Sequence, residues 1–148
     1  MDNDDVISTL NDLIETCKDG EKGFATCADK ATSPEVKTML NEGARRCAES
    51  ASELQSEVRR LGGDPDKGGS MSGALHRGWS SLKGSVTGND DESILEEVER
   101  GEDVAVESYR NALDKDLPID VRSIVERQYL GAEENHDRVR TLRDSYRS

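Results

Sequence analysis

The sequence predicts an all-α fold, a bundle of four long helices arranged as two helical hairpins joined by a long crossover. Three observations lead there. Apolar residues recur at helical spacing in four segments, short turn signals join those segments in pairs, and a stretch rich in Gly, Ser and Asp separates the pairs.

The first segment runs from about Asp5 to Lys30. Val6, Leu10, Leu13, Ile14, Cys17, Phe24 and Ala28 mark its inner stripe, and Glu21 falls within that stripe. Thr32-Ser33-Pro34 then reads as a turn and a helix start, with a hydroxyl N-cap, proline in the first turn and Glu35 behind it. The second helix extends to about Leu61 with Val36, Leu40, Gly43, Cys47, Ala51, Leu54 and Val58 on one side. Gly62-Gly63-Asp64-Pro65 stops it.

Residues 62–90 form the crossover. Met71, Leu75, Trp79, Leu82 and Val86 in it follow a helical rhythm, which predicts a short amphipathic helix anchored by Trp79. His76 lies off that stripe and reads as a solvated surface residue. Asn89-Asp90-Asp91-Glu92 supplies a cap and negative charge for the third helix. Its stripe is Ile94, Leu95, Val98, Ala105, Tyr109, Ala112 and Leu113, with Glu102 inside it. Leu117-Pro118 breaks the pattern before a fourth helix, about Asp120 to Tyr146, lined by Val121, Ile124, Val125, Gln128, Ala132, Asn135, Val139 and Leu142. The two hairpins thus span 5–61 and 91–146 of a single domain, residues 1–148.

With 148 residues the chain is long enough for one sizeable core, and with 3% aromatic content Leu, Val, Ile and Ala must fill most of it. The net charge of −12 disfavours phosphate backbones and anionic lipid, so neither nucleic acid nor a membrane surface is expected as a partner. The start, Met1-Asp2-Asn3-Asp4-Asp5, has no basic region leading into an apolar run, and no segment approaches the ~20 apolar residues of a membrane span, so a cytoplasmic protein is expected. Cys17, Cys27 and Cys47 have no paired metal spacing and read as small core or near-core residues. No phosphate loop and no Ser/His/Asp or Cys/His arrangement is present, so no catalytic residue is assigned.

The two hairpins resemble one another. Leu13-Ile14-Glu15 through Gly20-Glu21 matches Ile94-Leu95-Glu96 through Gly101-Glu102 without a gap, and Glu35-Val36-Lys37-Thr38-Met39-Leu40 matches Asp120-Val121-Arg122-Ser123-Ile124-Val125 in charge and polarity. Helices of about 25 residues span about 37 Å, a length the crossover can retrace, which places helices two and three parallel. A bundle with one long crossover is the ferritin-like arrangement.

That arrangement directs attention to inward carboxylates. Ferritin-like di-metal sites take one Glu from each of two helices and a Glu-x-x-His pair from each of the other two. Glu21 and Glu102 occupy matched positions, and Glu133-Glu134-Asn135-His136 contains the Glu-x-x-His pattern. Helix two offers only Ala48 and Ala51 where its partners are needed. The candidate metal ligands are therefore Glu21, Glu102, Glu133 and His136, an incomplete set for iron or manganese. Otherwise Glu21 and Glu102 accept hydrogen bonds from Tyr109, Ser50, Asn135, His136 or water inside a wet bundle centre, and no cofactor is expected.

The segments Asp19-Gly20-Glu21-Lys22-Gly23-Phe24, Gly73-Ala74-Leu75-His76-Arg77-Gly78-Trp79, Arg100-Gly101-Glu102-Asp103 and His136-Asp137-Arg138-Val139 resemble those of a bacterial ferritin-like family of four-helix-bundle proteins, a domain of unknown function. The resemblance extends from about Val6 to Asp144 and implies the ferritin-like fold in a bacterial cytoplasm, with no established activity. Two function classes are compatible with it. One is a non-catalytic binding or assembly bundle, able to pair as a homodimer through helix surfaces thinned by Gly43, Ala44, Ala48 and Ala51. The other is a carboxylate-bridged iron or manganese protein, an oxidase, peroxide scavenger or iron store.

Overall fold

The computed structural model of the chain describes residues 1–66 and 90–147. Four α-helices account for most of these: α1 (Asn3–Lys30), α2 (Pro34–Arg60), α3 (Asp91–Leu113) and α4 (Ile119–Arg147). The expected short helix around Trp79 lies outside the described residues.

Each helix starts where its capping chemistry allows. Asp2 accepts a hydrogen bond from the Asp5 amide at 2.9 Å, Ser33 caps α2 ahead of Pro34, and Asp90 accepts from the Ser93 amide at 2.7 Å. α2 ends on Gly62, whose φ of 86° is the left-handed conformation that glycine adopts without a Cβ penalty. The amides of Gly62 and Gly63 then return to the carbonyls of Arg59 and Val58, satisfying the last turn.

Contacts at the helix ends fix the directions. The N-terminal part of α1 meets the C-terminal end of α3, where Lys115 Nζ donates to Thr9 Oγ1 at 3.2 Å. At the other end Asp91, the first residue of α3, accepts from the Thr32 and Ser33 amides at 2.9 Å each, which ties α3 to the α1–α2 turn. The end of α2 meets the start of α4 through Arg60 and Asp120 at 2.9 Å. So α1 is antiparallel to α2 and α3, α4 is antiparallel to α2 and α3, and α2 runs parallel to α3. The end of α2 and the start of α3 therefore lie at opposite ends of the bundle, as in a ferritin-like four-helix bundle.

The sides of this bundle are unequal. α1 packs extensively on α2, α3 on α4 and α1 on α3, but α2 and α4 touch at few points. Two apolar clusters fill the interior. One, with Leu10, Leu13, Ile14, Leu54, Val58, Val121 and Val125, occupies the end near the α3–α4 turn. The other, with Phe24, Val36, Leu40, Ile94, Leu95, Val98 and Val139, occupies the opposite end. Among the described residues no helix is long and apolar enough to cross a membrane.

Candidate functional site at the bundle centre

Between the two apolar clusters the interior turns polar. α3 carries Glu102 into it, 3% exposed. Asn135 on α4 donates to Glu102 Oε2 at 2.8 Å, and Arg46 on α2 stands 3.9 Å from the same oxygen. The other oxygen, Oε1, is buried without a hydrogen-bond partner among the described residues. Burial pushes the Glu102 carboxyl up to about 7, against the opposing pull of Asn135, Arg46 and His136. A group in that range exchanges its proton near neutrality.

A partly enclosed cavity of about 30 Å³ adjoins this carboxyl and is lined by Cys17, Arg46, Cys47, Ser50, Tyr109 and Gln128, among others. That volume is about one water's share of the liquid. A hydrogen-bonded chain runs along its wall. Cys17 Sγ and the Tyr109 hydroxyl lie 3.3 Å apart, the hydroxyl donates to Gln128 Oε1 at 2.8 Å, and Gln128 Nε2 donates to Glu53 Oε1 at 2.7 Å. Desolvation pushes the Cys17 thiol up to about 11 and the Cys47 thiol up to about 12, so both stay protonated at neutral pH. Arg46 spans the loose side of the bundle, donating to the Gly131 carbonyl on α4 at 3.2 Å. Outside it, a groove of about 410 Å³ between α2 and α4 shares Arg46, Ser50 and Gln128 with the cavity.

The four residues singled out from the sequence do not converge. Glu21 is exposed on α1, where an inward position was expected. The reason is one residue of helical phase: Gly20 and Phe24 point inward, and Phe24 packs so closely over Gly43 that a Cβ there would sit 2.7 Å from its ring. A helix rotated to bury that ring and Gly20 leaves Glu21 on the flank. Glu133 is half-buried and pairs with Arg110 at 3.4 Å. His136 is 8% exposed, but its Nε2 is hydrogen-bonded to Asp103 Oδ1, with Asp137 3.6 Å from Nδ1. Only Glu102 reaches the centre unclaimed on one oxygen. Among the described residues no group of three or more His, Cys, Asp or Glu side chains could hold a metal ion. The donor set thus does not fit the carboxylate-bridged pair that ferritin-like chemistry would need.

Neither Arg46 at this centre nor Asp103 at its outer edge was anticipated. Arg46 lies three residues after Gly43, so its place on the same helical face was readable, but its charge argued for solvent. Asp103 gave no signal beyond adjacency to Glu102.

The profile of a domain of unknown function (DUF2383) matches residues 5–115, from the start of α1 through α3. The chain belongs to the DUF2383 family. Solved structures place this DUF2383 member among ferritin-like folds. A mutant of Mycobacterium smegmatis Dps1 is 18% identical, with 95% of each chain covered and a TM-score of 0.80. The dodecameric thioferritin of Bacteroides fragilis, a bacterioferritin-related protein, is 18% identical over 99% of this chain and 89% of its own, at 0.80. A two-domain Anabaena variabilis protein with DJ-1/ThiJ/PfpI-like and ferritin-like domains is 16% identical, covering 99% of this chain and 41% of that one, at 0.81. At such identities the likeness concerns the fold. No curated protein matches the chain.

Proposed function

We propose that this DUF2383 member is a non-catalytic binding or assembly bundle of the bacterial cytoplasm, with an incomplete carboxylate centre, that pairs with a second copy of itself. The observation that carries this reading is the dispersal of the candidate ligands. Glu21 lies outside, Glu133 is held by Arg110 and His136 by Asp103, which leaves Glu102 alone at the centre with Asn135 on one oxygen. The pairing rests on α4. Ile119 is 88% exposed and Leu130 59% exposed, about three helical turns apart and so on one face. These two exposed apolar side chains are the surface that the pairing would cover.

Light scattering on purified protein across a range of concentrations tests the assembly. A dimer is expected, shifted to monomer by Leu130→Glu without loss of helicity; a strictly monomeric wild type at high concentration removes the pairing. Metal analysis after purification in iron or manganese tests the rest. Stoichiometric metal lost in both Glu21→Ala and Glu102→Ala would replace this reading with the iron or manganese protein.

A further inference from the structure

The cavity at the bundle centre is bordered by two thiols from facing helices, Cys17 on α1 and Cys47 on α2. The approach of Cys47 to α1 is built into the backbone. Cys47 Sγ sits 2.8 Å from where a Cβ on Gly20 would lie, so only the bare glycine, one turn beyond Cys17, lets the second thiol approach α1 so closely. The same cavity is lined by Glu102, whose buried Oε1 has no partner among the described residues. Of the other polar side chains along its wall, Tyr109 donates to Gln128, Gln128 to Glu53 and Arg46 to the Gly131 carbonyl. Two sulfurs at a water-sized void suit a small, soft ion better than a hard one.

We propose that this cavity binds one soft monovalent d10 cation of the cuprous class, held between the sulfurs of Cys17 and Cys47. Two thiolates suffice for such an ion, which accepts two-coordinate geometry, so the lack of a three-ligand cluster among the described residues is no obstacle. The step is a proton exchange with no change of oxidation state: two thiols and one cation give a bis-thiolate complex of charge −1 and two protons, which pass to solvent. Arg46, whose side chain lines the same cavity, supplies the compensating positive charge. The way in is the loose α2–α4 side, where Arg46, Ser50 and Gln128 stand between the cavity and the outer groove. Cys27 does not line the cavity and takes no part.

The test is an anaerobic competition titration of the reduced full chain, with cuprous ion delivered from a chromogenic chelator and silver ion as a redox-inert check. One equivalent per chain is expected for the wild type and for Cys27→Ser. Cys17→Ser and Cys47→Ser are each expected to weaken uptake at least tenfold, with Cys17→Ala and Cys47→Ala repeating the result in case a buried hydroxyl disturbs the fold. Uptake that falls as pH drops, with about two protons released per cation, identifies thiolate ligation. Equal loss in Cys27→Ser, or full uptake in variants lacking Cys17 and Cys47 that still fold, overturns the proposal. Neither result bears on iron, manganese or self-association, so the assembly role stands or falls separately.

Discussion

Gly20-Glu21 on α1 and Gly101-Glu102 on α3 are the same two residues at matched points of two helices, and they meet opposite surroundings. On α1 the glycine is innermost and the glutamate exposed; on α3 both are buried. The difference originates in the next turn of each helix. Phe24 on α1 aligns with Ala105 on α3, and the chain's one Phe ring commands the rotation of its helix. α3 has no such ring there and buries Val106 and Tyr109 instead, which carries Glu102 inward. Matched residues therefore do not guarantee a matched environment: helical phase is set by the largest side chain nearby, and one residue of phase is about 100°.

If Phe24 sets the phase, removing it should have the largest effect. Phe24→Ala deletes a 2%-exposed ring between α1 and the bare backbone of Gly43, and is expected to cost about 3–5 kcal/mol. Urea unfolding tracked by circular dichroism measures it. A loss under about 1 kcal/mol would mean that the ring does not anchor α1, and the explanation for Glu21 would go with it.

The two glutamates themselves sharpen the comparison through pH. The folded-state value for Glu102, about 7, lies above the ordinary carboxylate range, so between these limits the folded chain binds more protons than the unfolded one. Stability from this group is full at pH values below the unfolded carboxylate range and declines as pH rises toward 7. The decline should approach about 3 kcal/mol in total. Glu102→Gln should flatten that dependence between about pH 5 and 8, whereas Glu21→Gln should leave it unchanged. Identical pH profiles for the two variants would erase the contrast between them.

This contrast also marks how far the sequence reached. The four helices, the caps of α2 and α3 and the parallel placement of these two helices were legible, the caps because Ser33-Pro34, Asp90 and Gly62 each act locally. Inner stripes were legible nearly residue by residue, with Val6, Leu10, Leu13, Ile14, Leu40, Leu54, Val98 and Val139 all in the core. The site was legible only at Glu102 and in its bond to Asn135. Which of two adjacent positions faces inward depends on packing against another helix, as Phe24 on Gly43 illustrates, and that information is not local. Nor could the sequence show that Asp103 would take the ring of His136, since Asp103 lies 33 residues upstream on a different helix.

The smallest effect concerns Glu133. It was a ligand candidate by its spacing to His136, yet its carboxylate faces Arg110 across the exposed α3–α4 edge at 3.4 Å. An exposed pair of this kind contributes about 0–1 kcal/mol, because solvent screens the attraction and two long side chains lose freedom to make it. Glu133→Gln should therefore shift stability by under about 0.5 kcal/mol, and the same substitution should move neither the Glu102 pH dependence nor any metal content. The informative control is Asp103→Asn, which leaves the His136 ring facing a neutral amide at the edge of α3. If Asp103 is what holds His136, its substitution should displace the imidazole resonances in NMR spectra while Glu133→Gln leaves them in place. Equal responses to the two substitutions would show that Glu133 and His136 act as one unit after all, and the edge of the bundle would then have to be read as an extension of its centre.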